Sequence, residues 1–449
     1  MTCDIALLML AFGKHRVWGP RPDGRGGTTT FYYYDEVTWL LAALAVIVVA
    51  WFLIRAYQRR RLFRRSKTRT DRKALDRVIK IKRELSSRYL QPAFSANIHA
   101  VGIGLLEQTR QYCIQIFITD PNEELWTGAG AQTLPASYRG IAIVIVQMAP
   151  AILLSGEAGS TVADGYADGI RNRRDVIIGG ISGANANLAG QSGTIGYFCR
   201  RRRKWGRSPD VLMLSNSHVF ADLQKGRVDE HDLIMQPSPG EPGSNRAVGM
   251  LVDYSALEFD DVNKKNHVDA AIAKLWNAHR HDAVIPFVGA VKGYVGNKEV
   301  ELGEAVQKFG RTTGFTEGLV SSICLDIWIQ YDRTGLAAYF ADQILIEPNS
   351  RFTQFVSSGD SGSLLVSASQ EAVGLIFAGT SNAAANEKAR ETSLTDAVDK
   401  AEPRRIEGYG VANPIGDVLD RMNIELLLAG DRDLIPKTSK ADSAKKAVP

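Results

Sequence analysis

Cysteine and histidine are scarce in this chain. Four cysteines, Cys3, Cys113, Cys199 and Cys324, are scattered over 449 residues without a Cys-x-x-Cys pair, and seven histidines accompany them. This scarcity argues against a disulfide-stapled secreted scaffold and leaves no metal-ligand spacing, so the thiols read as buried or incidental groups in a reducing compartment. Nucleotide-binding loops are missing as well. Gly102-Ile103-Gly104 has no third glycine and no helix behind it, and Gly156-Glu157-Ala158-Gly159-Ser160-Thr161 lacks the lysine of a phosphate loop. Nor is positive charge spread over the chain. The net charge is +5, yet Arg55 to Lys73 holds ten Lys and Arg against one Asp. The remainder is slightly acidic, and a nucleic-acid-binding body is not indicated.

Long apolar runs are absent, with one exception. Val37 to Ile54 contains no charge, and Thr38 is its only polar side chain. Such a length suits a single helix across a bilayer, with Trp39 and Trp51 near its ends as interfacial anchors. A cleaved signal peptide fits less well, because the run starts late and no basic region precedes it. The basic segment 55–73 follows directly, whereas the N-terminal flank 1–36 balances its charges. The positive-inside rule therefore predicts a single-pass topology with everything after the span in the cytoplasm. The same basic segment is expected to lie on anionic headgroups.

Beyond it, Arg72 to Tyr89 reads as an amphipathic helix, with Leu75, Val78, Ile79, Leu85 and Tyr89 near helical spacing. Ile98–Leu106, Gln111–Thr119 and Ile141–Gln147 read as strands. Together they predict a small α+β module over 74–150, followed by a linker over 151–176. From Ile177 to residue 430 the pattern becomes all-β, with short apolar runs punctuated by Gly, Pro, Asn and Asp. Arg200 to Lys204 reads as a solvated hairpin tip and Gln236-Pro237-Ser238-Pro239-Gly240 as a surface loop. A last helix is expected over Gly416 to Leu428, and the Lys-rich 431–449 reads as a disordered tail.

Three segments in the all-β part carry chemistry. The apolar run Val211 to Leu214 ends in Ser215-Asn216-Ser217-His218. His267-Val268-Asp269 opens another strand. Ser357-Ser358-Gly359-Asp360-Ser361-Gly362-Ser363 is a tight turn feeding Leu364-Leu365-Val366. A serine hydroxyl becomes nucleophilic only when a base takes its proton and a third group orients that base. His218, Asp269 and Ser361, 51 and 92 residues apart, supply those three groups. The backbone N–H groups of Gly359 and Ser361 are candidate oxyanion donors. His267 is better explained as a structural histidine than as part of the site. His231, His279 and His281 fall in polar loops with no third ligand converging on them.

In order and spacing these segments resemble the signatures of trypsin-like serine peptidases. Lys308-Phe309-Gly310-Arg311-Thr312-Thr313-Gly314-Phe315-Thr316-Glu317-Gly318 is similar to a stretch of the bacterial and plant branch that includes the plant narrow-leaf protein. The resemblance implies a mainly β fold of two chymotrypsin-like barrels with a C-terminal helix, here preceded by the membrane span and the α+β module. It implies a serine endopeptidase acting on protein or peptide substrates through a Ser-His-Asp triad, with no metal or cofactor. It places Phe355 at the floor of the primary pocket and Gly379 on its wall, which predicts no preference for Lys or Arg, and it lays the strand Gly374–Gly379 along the substrate backbone. Ile177-Ile178-Gly179-Gly180 resembles a zymogen's activated N-terminus, but Val176 precedes it where a basic residue would be needed. Without cleavage there, Asp360 must find another partner, for which backbone N–H groups are candidates. Two other classes remain open at this point. One is a protease-like scaffold that binds without cutting. The other is an esterase, which the strand-rich pattern disfavours because such enzymes use a parallel α/β sheet.

Overall fold

A computed structural model describes residues 15–20, 28–33 and 69–431, apart from 92–96, 122–125, 128–129, 132–133, 155, 158–169, 189, 207, 242–244, 297–298, 332–335 and 381–402. The expected membrane span 37–54, most of the basic segment 55–73 and nearly all of the tail 431–449 lie outside the described residues. No helix among the described residues is long and apolar enough to cross a membrane. The chain divides into two compact units, Met1–Leu75 and Asp76–Pro449. Within the first, β1 (His15–Pro20) and β2 (Thr28–Tyr33) pair as an antiparallel hairpin.

The helix α1 (Arg69–Tyr89) forms where the periodicity predicts it. Leu75, Val78, Leu85 and Tyr89 are buried as expected. Ile79 is only half-buried and Ile81 is buried instead, since Ile81 falls three residues from Val78 and four from Leu85 on the same helical face. Lys82 shares that face and is fully buried, its Nζ 2.7 Å from Asp326 and 3.2 Å from Asp342. A buried ammonium needs such partners, since leaving it unpaired in an apolar interior is costly.

Next come β3 (Ile98–Leu105), β4 (Tyr112–Ile118), β5 (Ile141–Met148) and β6 (Ala151–Leu153). The following stretch contains β7 (Ala184–Asn185), β8 (Tyr197–Arg201), β9 (Leu212–Ser215), the single turn α2 (Ser217–Phe220), β10 (Leu233–Gln236), β11 (Arg246–Tyr254) and β12 (Ala271–Leu275). The last stretch holds β13 (Ala305–Gly310), β14 (Gly314–Tyr331), β15 (Leu336–Pro348), β16 (Leu364–Ser367), β17 (Glu371–Gly379), β18 (Arg404–Ile406), β19 (Gly410–Pro414), α3 (Ile415–Arg421) and β20 (Ile424–Leu426).

Two sheets dominate. One runs β7-β10-β11-β12-β9-β8-β20. The other runs β13-β16-β17-β19-β15-β14, and an additional β13–β14 pairing returns it to its start, closing a barrel with no free edge. The fold is mainly β. The strands of the expected module continue this second sheet, since β3 pairs with β14, β4 with β3 and β5 with β4. No break in hydrogen bonding separates module from barrel.

Three details depart from the sequence reading. The last helix stops at Arg421, not Leu428, because Asn423 takes a left-handed φ of 50° and Ile424-Glu425-Leu426 then alternates buried, exposed, buried as a strand on β8. Asparagine tolerates that conformation better than most residues. The basic run is not uniformly solvated. Arg200 is buried and donates to the Ser208 carbonyl, while Arg201 and Arg202 pair with Asp253 and Asp420. Finally, Gln236 and Ser238 are buried, and the Ser238 hydroxyl lies 2.9 Å from that of Ser182, so this turn is packed and not a surface loop.

Candidate active site

The β9–β12 ladder brings the histidine to the aspartate. Its register pairs Leu212 with Lys274 and Ser215 with Ala271. Carried two residues past the end of β9, the same register sets Ser217 opposite Asp269. The Ser217 N–H indeed donates to Asp269 Oδ1 at 2.6 Å. On the next residue, His218 Nδ1 lies 2.5 Å from Asp269 Oδ2. An ionised carboxylate can only accept, so Nδ1 carries the proton and Nε2 is left as the basic nitrogen. Asp269 is wholly buried and His218 nearly so. His218 Nε2 has no hydrogen-bond partner among the described residues.

A residue that the sequence reading did not assign to the site holds Asp269 from behind. The Asp269 N–H donates to Asn413 Oδ1 at 3.0 Å, and Asn413 Nδ2 donates to Gln343 Oε1 at 2.6 Å. Asn413 sits in β19, and only its strand's place beside β15 brings it there. No local motif signals it.

Ser361 stands on a turn locked from three sides. Gly359 has a φ of 100° and Gly362 a φ of 92°, conformations that only glycine adopts freely. A Cβ on Gly362 would lie 2.3 Å from Ser215 Oγ and 2.2 Å from the Thr194 carbonyl, which measures how closely the turn packs on the end of β9. Thr194 clasps the turn, its N–H donating to the Ser361 carbonyl at 2.8 Å and its hydroxyl to the Gly359 carbonyl at 2.9 Å.

Asp360 is the third lock. Its Oδ1 accepts from the N–H groups of Thr312 (2.8 Å) and Thr313 (3.1 Å). Its Oδ2 accepts from the Thr313 hydroxyl (2.7 Å), the Ser357 N–H (3.0 Å) and Lys308 Nζ (3.1 Å). The Gly-Arg-Thr-Thr-Gly stretch thus supplies two backbone N–H groups and a hydroxyl to Asp360, and the Ser357 N–H and a buried lysine complete the set. Ile177 is paired in a short parallel bridge with His281, so Asp360 keeps its partners without a freed amino terminus. Burial pulls the Lys308 ammonium below its usual range, and Asp360 opposes that pull.

The hydroxyl of Ser361 does not meet His218 here. It donates to the Phe377 carbonyl at 3.1 Å, and Ser361 has no exposed surface. Phe377 can accept because the β17–β19 register shifts between Ile376 and Ala378, a bulge that takes its carbonyl out of that ladder. Phe355 is fully buried, and a Cβ on Gly410 would lie 2.9 Å from its ring. Gly379 pairs with Gly410 beside it. His231 and His267 are exposed, and His279 and His281 are half-buried. No cluster of metal-ligating residues occurs among the described residues, and Cys113, Cys199 and Cys324 are free thiols.

The family model of the Nal1 C-terminal domain matches residues 163–402. The chain belongs to that family. The matched span carries His218, Asp269, Ser361 and the Gly-Arg-Thr-Thr-Gly stretch. No curated protein matches the sequence. Among solved structures the chain is similar to protease A of Thermobifida fusca, with 15% identity, 57% of this chain and 100% of that one covered, and a TM-score of 0.36. It is also similar to a Cellulomonas bogoriensis chymotrypsin, with 14% identity, 56% and 99% coverage, and a TM-score of 0.34. A Nocardiopsis protease gives 16% identity, 56% and 98% coverage, and a TM-score of 0.34.

Proposed function

We propose that this Nal1-family chain is a serine endopeptidase that hydrolyses peptide bonds through Ser361, His218 and Asp269. The observation that carries the reading is the His218–Asp269 hydrogen bond at 2.5 Å, which leaves Nε2 basic beside a nucleophile turn packed on the same strand end. Catalysis requires the Ser361 hydroxyl to leave the Phe377 carbonyl for His218 Nε2, a change between staggered χ1 wells. Ser361 Oγ then attacks the peptide carbonyl while Nε2 takes its proton. The imidazolium, steadied by Asp269, returns that proton to the leaving amine, and water hydrolyses the acyl-enzyme by the same steps in reverse. The Gly359 and Ser361 N–H groups stabilise the oxyanion, one such donor contributing about 3 kcal/mol. The fully buried Phe355 offers a cation no partner, in keeping with an apolar primary site.

The same reading has residues 37–54 span a membrane, segment 55–73 rest on anionic headgroups and the peptidase face the cytoplasm. Protease digestion of intact spheroplasts should spare the peptidase part; its loss would reverse the orientation. For the activity, a fluorophosphonate should label Ser361 and casein should be cut, both lost in Ser361→Ala. A protein that no variant or condition can make label is a binding scaffold instead.

A further inference from the structure

The cleft is already filled by the chain itself. Strand β6 runs antiparallel on the rim of β17, with Leu153 opposite Ala378 and Ile152 opposite Gly379. One residue further, the Leu154 N–H points to the Phe377 carbonyl at 3.5 Å, and the Leu154 carbonyl accepts from the Gly359 N–H at 2.5 Å. That N–H is one of the two donors that the nucleophile turn presents to a reacting carbonyl. A carbonyl seated on an oxyanion donor beside the nucleophile is in the place of a scissile one. A peptide that adds to a sheet edge takes its register from main-chain hydrogen bonds and its selectivity from alternate side chains. Ala151 and Ile152 also pair with Ile329 and Gln330 of β14, which fixes the segment from its other side. Leu154 and Ser361 are both fully buried.

We propose that Ala151-Ile152-Leu153-Leu154 is a tethered pseudosubstrate, which identifies the substrates as extended peptides with leucine before the cut bond and keeps the resting enzyme latent. The inference rests on the peptidase reading above. It accounts for two features that the triad alone leaves open, the absence of exposed surface on Ser361 and the turning of its hydroxyl away from His218. Because the segment joins the α+β strands to the barrel in sequence, whatever draws β6 off the rim would switch the enzyme on.

The test uses the full chain. Wild type, Leu154→Asp, Leu154→Gly and Leu154→Met are compared for the rate of fluorophosphonate labelling at Ser361. They are also compared for hydrolysis of two coumarin amides, acetyl-Ala-Ile-Leu-Leu and acetyl-Ala-Ile-Leu-Lys. Circular dichroism and the urea midpoint establish that each variant is folded, and the Gly variant stands in if the Asp variant is not. Losing one buried leucine side chain from the cleft should speed labelling about 10- to 100-fold in the Asp and Gly variants, with Leu154→Met close to wild type. The Leu substrate should be cut at least tenfold faster than the Lys substrate. Equal labelling in wild type and the folded Asp and Gly variants, or a preference for Lys, would overturn the pseudosubstrate while leaving the peptidase standing. No labelling and no hydrolysis in any folded variant would sink the peptidase reading and this inference with it.

Discussion

Removing the ammonium of Lys308 should unsettle the nucleophile turn more than any surface change. Lys308 and Asp360 are both fully buried, their charged atoms 3.1 Å apart. At that separation, with an effective dielectric near 20, their attraction is about 5 kcal/mol. Asp360 would keep four other donors in a Lys308→Met variant, namely three N–H groups and one hydroxyl. Part of the loss is therefore absorbed, and the net cost should be about 3 kcal/mol, at the lower end for breaking a buried pair. Urea denaturation followed by tryptophan fluorescence measures it. The Lys308→Met/Asp360→Asn double variant should lose less than the sum of the single variants, because the second change removes the charge stranded by the first. A loss below about 0.5 kcal/mol in the single variant, or strict additivity in the double, would refute the idea that this pair holds the turn.

Three further outcomes are expected. Burial pushes the His99 imidazole down from 6.5 to about 4; between those values the unfolded chain binds a proton that the native chain refuses, so stability falls as pH drops through this window. The drop from pH 7 to pH 4 should accordingly be about 3 kcal/mol smaller in His99→Phe, and equal pH dependence would contradict it. Asn413→Ala strands the buried Asp269 N–H at a cost of about 1–3 kcal/mol and should slow Ser361 labelling, read from urea midpoints and labelling rates in the Leu154→Gly background. Gly359→Ala demands a left-handed alanine with its Cβ 2.4 Å from Thr312 Oγ1, a hydroxyl already bonded to the Ser358 carbonyl; labelling should vanish while far-ultraviolet dichroism persists.

How much of this was legible in the sequence follows from what each residue depends on. His218, Asp269 and Ser361 could be picked out because their neighbours are local signals, an apolar strand running into His218 and glycines flanking Ser361. The strands β3, β4 and β5 were equally readable, as continuous apolar runs of the right length. Lys308 lies two residues before the Gly-Arg-Thr-Thr-Gly stretch, but its pairing with Asp360 is not legible there, since the contact joins residues on different elements of the barrel. Asn413 stayed hidden for the same reason; its role exists only once β19 lies beside β15. Leu154 was the hardest. Read along the chain it is one more apolar residue entering a linker, and only the pairing of β6 on β17 gives its carbonyl a meaning. The end of α3 at Arg421 turned on a single left-handed residue, Asn423, inside a run that otherwise suited a helix.

The most direct measurement is the intact mass of the folded Leu154→Gly chain after exposure to a fluorophosphonate, with the adduct mapped by peptide sequencing. One adduct, on Ser361, that disappears when His218→Ala or Ser361→Ala is added is the result this account predicts. A chain that takes up no adduct, or takes up the same amount without His218, would contradict it.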